Sequence, residues 1–364
     1  MKKWLPFVFL LTTLVCSAQN KSIEAYAGFI EKIDSLHIEH QIPGLSVGVM
    51  RNDSILISTG VGWANVEAKK DMTAQTPVRI ASLTKPIFST LFMRLEEEGN
   101  VDLNWKIKNY VPNYLERCER ILAYFEKQMP EYAFLLKDYE PNRDDILLKH
   151  HLSHTAEASP GTNYKYNGLL YGMLSAVMKT ATGVNFDRMV DSLIIQKLEL
   201  KHAASSQLDD TKTELLNTIA LPYHFSEDDS FVRSPFPDKD LNAGAGLVFS
   251  VEDLLLFDKA LTHNTIISNK AKEKMFEPFL LNDGRRSPYG YGWFIDNYKN
   301  NKVIWHYGWQ PKAYSSLYVK IPEKNLTLVM LTNSEGLSSS FNLSNGNLLQ
   351  SVFAQAFLDQ FVTD

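Results

Sequence analysis

Two cysteines in 364 residues, Cys16 and Cys118, leave no disulfide framework, so the stability of the chain has to come from packing. Positive charge is not in excess either: 37 Lys and Arg stand against 42 Asp and Glu, for a formal net charge of −5. A nucleic-acid backbone would need a basic footprint, so no nucleic-acid partner is expected. No linker rich in Pro, Gly or Ser, no internal repeat and no low-complexity block divides the chain. A second structural unit is therefore expected as an insertion rather than an appendage. The apolar run at 4–15 is shorter than the roughly 20 residues that cross a bilayer. Preceded by Lys2 and Lys3 and followed by the small Ser17 and Ala18, it reads as a secretory signal peptide over residues 1–18, cut after Ala18. That predicts a secreted or periplasmic mature protein, 19–364, without stable membrane insertion and with Cys118 as its only cysteine. Cys16 stands where a lipoprotein cysteine could stand, but Val15 before it is bulkier than such processing prefers. Lipid anchoring is the lesser alternative.

What is present fits a large globular chain. Hydrophobic residues make up 45% and charged residues 22%, the ordinary globular mixture. At roughly 150 residues per domain the length suggests one large unit or two interleaved ones. Ile23, Tyr26, Ile30, Ile33 and Leu36 recur at helical spacing before Pro43-Gly44. Residues 45–50 and 55–61 then alternate across Arg51-Asn52-Asp53, as a β-hairpin does, and 314–321 with 326–332 repeat the pattern across Pro322-Glu323-Lys324-Asn325. Helical spacing returns over 348–361. Strands at both ends around a mainly helical middle predict an α+β fold. One antiparallel sheet would be built from both termini, about 21–80 and 285–364, with flanking helices and an inserted helical lobe over about 81–284. The cleft between lobe and sheet is the expected place for a small-molecule site. Segment 114–145, rich in aromatic and charged residues, reads either as a helical cap over that cleft or as a packed helical pair.

Three short stretches carry chemistry. Arg79-Ile80-Ala81-Ser82-Leu83-Thr84-Lys85-Pro86 opens an amphipathic run with Ile87, Leu91 and Leu95 on one face and Gly99 as its stop. Ser82 and Lys85, three residues apart, share one side of a helix, so an amine can reach the hydroxyl as a nucleophile and its base require. Pro86 is tolerated only near a helix start, which puts Ser82 at the positive end of the helix dipole. Lysine acts as a base only when neutral, and burial can secure that. The second stretch, Ser159-Pro160-Gly161-Thr162-Asn163-Tyr164-Lys165-Tyr166-Asn167-Gly168, presents a tyrosine before an apolar helix. A phenol near Ser82 and Lys85 could pass a proton to a leaving group; taken alone, a tyrosine packed under a loop is the plainer reading. The third, Trp305-His306-Tyr307-Gly308-Trp309, precedes a strand. Its edge could offer the Trp309 backbone N–H as an oxyanion donor beside that of Ser82, with His306 as a polar handle.

In this order the motifs resemble the serine β-lactamase and penicillin-binding-protein superfamily, most closely its class C β-lactamase and esterase branch. Pro43-Gly44-Leu45-Ser46-Val47, Leu152-Ser153-His154-Thr155, the run from Ala243-Gly244 to Phe249-Ser250, and Tyr289-Gly290-Tyr291-Gly292-Trp293 match that branch too, so the likeness covers roughly 25–360. It implies a β-lactamase/transpeptidase-like fold and a serine hydrolase that acts through an acyl-enzyme on Ser82, with Lys85 as general base and no metal or organic cofactor; with the signal-peptide pattern, the expectation is a secreted one. The tyrosine role falls to Tyr166, whose distance from Thr162 and Tyr171 suits it better than Tyr164. Two departures stand out. The family reads Tyr-x-Asn where this chain reads Tyr166-Asn167-Gly168, leaving Asn167 as the candidate substitute in substrate binding, along with Gly308. His306 stands where β-lactamases carry the lysine of Lys-Thr-Gly, and a neutral imidazole attracts a carboxylate far less than an ammonium. A weak β-lactamase and a better hydrolase of uncharged small esters or amides is expected.

Rival readings remain. Gly44-Leu45-Ser46-Val47-Gly48 matches a nucleophile elbow, but that elbow needs a strand before and a helix after the serine, and here an alternating strand continues. His150, His151 and His154 have spacing compatible with a metal, yet no carboxylate or cysteine pattern completes a site, and a structural role at a helix end is preferred. A D-amino-acid peptidase or DD-carboxypeptidase on cell-wall peptides would use the same nucleophile. A catalytically silent ligand-binding homologue would keep the fold without needing Ser82, Lys85, Tyr166 and His306 together.

Overall fold

Antiparallel pairing of two distant hairpins generates the main sheet. The computed structural model describes residues 26–128, 130, 136–237 and 241–362, so the expected signal peptide and Cys16 lie outside the described residues. Strands β1 (Gly44–Arg51) and β2 (Ser54–Asn65) form the first hairpin. Asn52 and Asp53 turn it with φ of 49° and 62°, the left-handed pair a tight hairpin needs. After the short β3 (Lys70–Asp71) and β4 (Val78–Arg79), the middle of the chain contributes β5 (Tyr223–Phe225), β6 (Phe231–Arg233) and β7 (Val248–Phe249). Strands β8 (Phe294–Tyr298), β9 (Asn301–Gln310), β10 (Tyr314–Ile321) and β11 (Leu326–Thr332) complete the set. The seven-stranded sheet has the order β3-β2-β1-β11-β10-β9-β8, while β4 with β7 and β5 with β6 make separate two-stranded pairs. Both ends of the chain thus share one sheet, joined where Val47 of β1 lies opposite Met330 of β11. The two small pairs, β5 with β6 inside the helical middle and β4 with β7 between its start and its later part, are additions that the sequence pattern did not show.

Alternation along the central strands sorts side chains into two cores. Leu328 and Met330 pack on one face with Leu45, Val47 and Val49, under α1 (Ala27–Glu39) and the C-terminal helix. Val329 and Leu331 point to the other face, into the core of the lobe. Helix α2 (Thr84–Glu97) runs through that lobe, and its continuous burial from Thr84 to Met93 corrects the expectation of one apolar face. Ser89 and Thr90 sit in the buried surface because their hydroxyls find the Tyr291 and Pro86 carbonyls, at 2.6 and 2.9 Å. Gly99, with φ 78°, ends the helix as expected.

The remaining helices that matter for the site are α3 (Tyr114–Gln128), α4 (Leu148–Leu152), α5 (Gly168–Gly172), α6 (Val251–Thr262) and the C-terminal α7 (Val352–Phe361). The segment holding α3 is fixed to the lobe by a polar chain: Tyr114 bonds Tyr139, Tyr139 bonds His151 Nε2 at 3.0 Å, and His151 Nδ1 donates to the Leu170 carbonyl at 2.8 Å. Buried Cys118 and Phe125 pack from the same segment. Ser46 lies inside β1, fully buried, with its hydroxyl on the Leu331 carbonyl. Its flanking Gly48 is explained by packing, since a Cβ there would sit 2.4 Å from Val251 Cγ1 of α6.

Under the sheet, Asp258 of α6 receives Lys320 Nζ at 2.8 and 3.0 Å, Thr327 Oγ1 at 2.9 Å and the Tyr318 hydroxyl. Both charges are buried, so removing one strands the other in a low-dielectric interior. Lys320→Ala is expected to lower the unfolding free energy by about 3–5 kcal/mol, read by urea denaturation at pH 7. A loss under about 1 kcal/mol would mean that the hydroxyl donors alone hold the carboxylate.

Candidate active site

Ser82 sits in a short 3₁₀ turn, Ala81–Leu83, that leads directly into α2. Its approach is fixed from three sides. The Ile80 N–H donates to the Leu247 carbonyl at 3.0 Å, and Ser316 Oγ of β10 donates to the Ile80 carbonyl at 2.8 Å. The Leu247 N–H in turn donates to Thr84 Oγ1 at 3.3 Å. Ala81 adopts φ 46°, a left-handed conformation that costs a residue with a Cβ about 1–2 kcal/mol. The strain sits next to the nucleophile candidate and is held by these bonds.

Lys85 Nζ donates to Ser82 Oγ at 2.8 Å and to the Gly244 carbonyl at 2.9 Å. The amine is fully buried, over the rings of Tyr166 and Tyr171 at 5.1 and 5.6 Å from their centroids. Burial lowers its pKa to about 7, so near neutral pH a large share of it is an uncharged base. Gly168 stands where the family asparagine is absent, and a Cβ there would lie 3.6 Å from Lys85 Nζ. The Gly244 carbonyl supplies the lysine's second partner instead. Nothing in the local sequence of Lys85 signalled that contact; the matched run from Ala243-Gly244 onward was its only trace.

Tyr166 is brought to the same place. Burial, with the Tyr307 phenol beside it, raises the Tyr166 pKa well above the ordinary range, while the Ser82 side chain pulls it the other way. Among the described residues its hydroxyl has no hydrogen-bond partner of ordinary geometry, which leaves it available for a proton in transit. Tyr164, the rejected alternative, bonds the Ser344 carbonyl at 2.9 Å.

Two site expectations are corrected. Asn167 is buried and serves as the N-cap of α5, its Oδ1 accepting from the Leu169 and Leu170 N–H groups and its Nδ2 donating to Glu157 at 2.8 Å. Its amide is turned to the fold rather than to Lys85 or substrate, because a helix start with orphan N–H groups is a strong competitor for an asparagine side chain. His306 clusters with the others, its ring 6.0 Å from that of Tyr166, but it is fully buried and both nitrogens are taken. Nδ1 donates to the Tyr307 carbonyl at 2.6 Å, so Nε2 accepts from the Tyr289 hydroxyl at 2.9 Å. Burial and then the nearby Lys85 push its pKa well down, keeping it neutral. It is a support for the aromatic wall and not an exposed handle.

Gly308 is a point of closest approach. A Cβ there would lie 2.2 Å from Ser316 Oγ and 2.5 Å from the Ile80 carbonyl oxygen, so only glycine lets β9 bring the Trp309 edge against the turn of Ser82. The Trp309 ring is partly exposed and bonds Glu335 at 2.9 Å. From here a cavity of about 950 Å³ opens, lined by Tyr164, Tyr166, Tyr307, Trp309 and the 338–345 loop, with Lys165 as the one charged lining side chain among the described residues. Of the three histidines whose spacing is compatible with a metal but for which a structural role is expected, His150 Nδ1 accepts from the Leu147 N–H at the start of α4, His151 anchors the 114–145 segment, and His154 Nδ1 accepts from the Asn167 N–H at 3.1 Å.

Comparison with known proteins gives a consistent picture. Residues 27–352 match the beta-lactamase family model. The chain is 26% identical over 329 residues to "Penicillin-binding protein 4*" of Bacillus subtilis (strain 168), covering 83% of this chain and 70% of that one. In structure it is similar to the octameric penicillin-binding protein homologue from Pyrococcus abyssi, with TM-score 0.72, 21% identity, and 91% and 77% of the two chains covered. It is also similar to EstCE1, described as a hydrolase with promiscuous acyltransferase activity, with TM-score 0.66, 16% identity, and 92% and 98% covered.

An amine with a lowered folded pKa binds fewer protons folded than unfolded between about 7 and its ordinary 10.5, so the wild-type chain gains stability as pH rises through that window. Lys85→Met lacks this term. The stability of Lys85→Met relative to wild type should therefore be most favourable below pH 7 and fall by up to about 1.4 kcal/mol per pH unit above it. Urea titrations from pH 6 to 10 read the difference; a flat profile would show that Lys85 stays charged when folded.

Proposed function

Because the chain belongs to the beta-lactamase family of serine hydrolases, we propose that it is a secreted hydrolase of uncharged small-molecule esters or amides that forms an acyl-enzyme on Ser82. The observation that carries this reading is the 2.8 Å contact between Ser82 Oγ and a lysine amine buried so fully that it is half neutral near pH 7. In the proposed cycle, neutral Lys85 takes the Ser82 proton as Oγ attacks the carbonyl carbon. The oxyanion is received by the N–H groups of Ser82 and Trp309. Tyr166, whose hydroxyl has no partner of ordinary geometry among the described residues, relays a proton from Lys85 to the departing oxygen or nitrogen, and water then cleaves the acyl-enzyme with the same groups in reverse.

Substrate charge follows from what the cavity offers. His306 is neutral and enclosed, and Lys165 is already paired with Glu157 at 2.6 Å and Asp138 at 3.3 Å, so a substrate carboxylate meets no unspent cation on the described walls. Aromatic rings and serine hydroxyls favour an uncharged, partly apolar group. A peptidase acting on D-alanyl peptides is the second reading, favoured by the penicillin-binding names of the relatives and weakened by the same lack of a carboxylate anchor. A silent binding role gains no support from a desolvated lysine held against a serine, since that arrangement costs stability and binding does not need it. Export by the 1–18 segment belongs to this proposal.

Three outcomes are expected. A fluorophosphonate probe adds one adduct by intact mass, lost in Ser82→Ala. For a butyrate ester of 4-nitrophenol, kcat/KM rises through an apparent pKa of about 7 as the Lys85 amine loses its proton, and Lys85→Ala lowers it by about 10²–10⁴. Benzylpenicillin is turned over at least about 10²-fold less efficiently, the scale of one misplaced or missing binding group; efficient penicillin hydrolysis would sink the uncharged-substrate reading.

A further inference from the structure

Tyr166 is held through its two neighbours. On one side the Lys165 N–H donates to the His154 carbonyl at 2.9 Å, and Lys165 Nζ reaches Glu157 Oε2 at 2.6 Å. On the other, the Asn167 N–H donates to His154 Nδ1 at 3.1 Å, and Asn167 Nδ2 reaches Glu157 Oε1 at 2.8 Å. The Tyr166 ring lies over the His154 ring, centroids 4.4 Å apart. Four hydrogen bonds to the 154–157 turn therefore hold the tripeptide Lys165-Tyr166-Asn167, while among the described residues the hydroxyl in its centre has no partner of ordinary geometry. The Glu157 carboxylate is buried and spends one oxygen on each flank.

We infer that Glu157 is a positioning residue that sets Tyr166 against Ser82 and Lys85 by clamping Lys165 and Asn167, an assignment that rests on the proposed proton-relay role of Tyr166. A carboxylate is suited to the task because its two oxygens diverge and can accept from a cation and an amide at once. The cost of burying such a group is offset by a hydrogen bond to each of its oxygens, as here. The charged groups that face it are Lys165 and, beyond that lysine, Asp138; burial raises its pKa, and Lys165 and then Asn167 pull it back. The Asp138 carbonyl also accepts the Ala158 N–H at 2.7 Å, so the turn is braced from the 114–145 segment as well. The same turn gives Asn167 its reason to face away from Lys85: its amide is the second jaw of the clamp and the cap of α5.

Loss of the clamp should resemble loss of the phenol and nothing else. A proton relay matters most for a poor leaving group, because a stable anion such as 4-nitrophenolate departs without one. The experiment measures kcat/KM for butyrate esters of 4-nitrophenol, phenol and ethanol with wild type, Glu157→Ala, Glu157→Gln, Tyr166→Phe and the double variant Glu157→Ala/Tyr166→Phe. In both Tyr166→Phe and Glu157→Ala the ethyl ester should slow by about 10–100-fold, the effect of misplacing a reacting group by an ångström, and the nitrophenyl ester by less than about threefold. Glu157→Gln, which keeps an acceptor for Asn167 and the side-chain volume, should fall between, and it decides the matter if Glu157→Ala does not fold. The double variant should be no slower than Tyr166→Phe alone, since one group acts through the other. Equal slowing of all three esters, or multiplying effects in the double variant, overturns the inference and leaves Glu157 a purely structural residue. A wild-type chain that takes no fluorophosphonate on Ser82 instead overturns the serine-hydrolase reading itself, whereas labelled Ser82 with an unchanged leaving-group profile in both Glu157 variants removes only the clamp.

Discussion

The constraint on which the site depends is the removal of one lysine amine from water. Lys85 is buried in the first turn of a helix that is buried continuously from Thr84 to Met93, and among the described residues its charge has no carboxylate to pair with; its hydrogen-bond partners are a serine hydroxyl and a backbone carbonyl. In water such an amine stays protonated to about pH 10.4. Here desolvation alone brings its pKa to about 7, which makes the group both a base and a cost. That cost is carried by the rest of the molecule, through the apolar surface buried on both faces of the sheet and around α2. A strained Ala81 beside Ser82 belongs to the same pattern of local expense supported by a large surrounding core.

A buried positive group also decides the state of its neighbours. His306 and His154 both have depressed pKa values, first from burial and then from Lys85, so the wall of the site is made of neutral rings. Hydrogen bonds to Tyr289, the Tyr307 carbonyl and the Asn167 N–H fix their tautomers and orientation. One ionisable amine in a shell of neutral aromatics is suited to moving a single proton, and it is poorly suited to holding an anionic substrate.

How much of this was legible in the sequence tracks contact distance along the chain. Ser82 and Lys85 were readable because the geometry that joins them is one helical turn, and the two terminal hairpins because their alternation and turn residues are local. The partners that complete the site are not local: Gly244 meets Lys85 across 159 positions, and Ser316 meets Ile80 across 236. Periodicity in 84–97 showed one apolar stripe because Ser89, Thr90 and Lys85 are polar by type, while in the fold each has a buried partner. The family resemblance placed Asn167 and His306 near the chemistry, but it could not reveal that a helix cap and a tyrosine had already claimed their polar atoms. Gly308 was named for the substrate and is required for a different reason, the close passage of β9 over the Ser82 turn.

The 114–145 segment is best understood through what it touches. In its described residues the Tyr114–Tyr139 pair ends on His151, and His151 ends on the Leu170 carbonyl of α5, the helix that starts immediately after Tyr166 and Asn167. Asp138 reaches the other side of the same loop, through the Ala158 N–H and Lys165. The described residues of the segment thus brace the tyrosine-bearing loop at both ends, and none of them lines the 950 Å³ cavity beside Tyr166 and Trp309. Among the described residues the Tyr166 hydroxyl has no hydrogen-bond partner of ordinary geometry to hold the ring, so the bracing falls to the loop on either side, and in the proposed cycle a phenol displaced by an ångström would lose its proton path. The described residues of the segment therefore meet the tyrosine-bearing loop from two sides and add rigidity there.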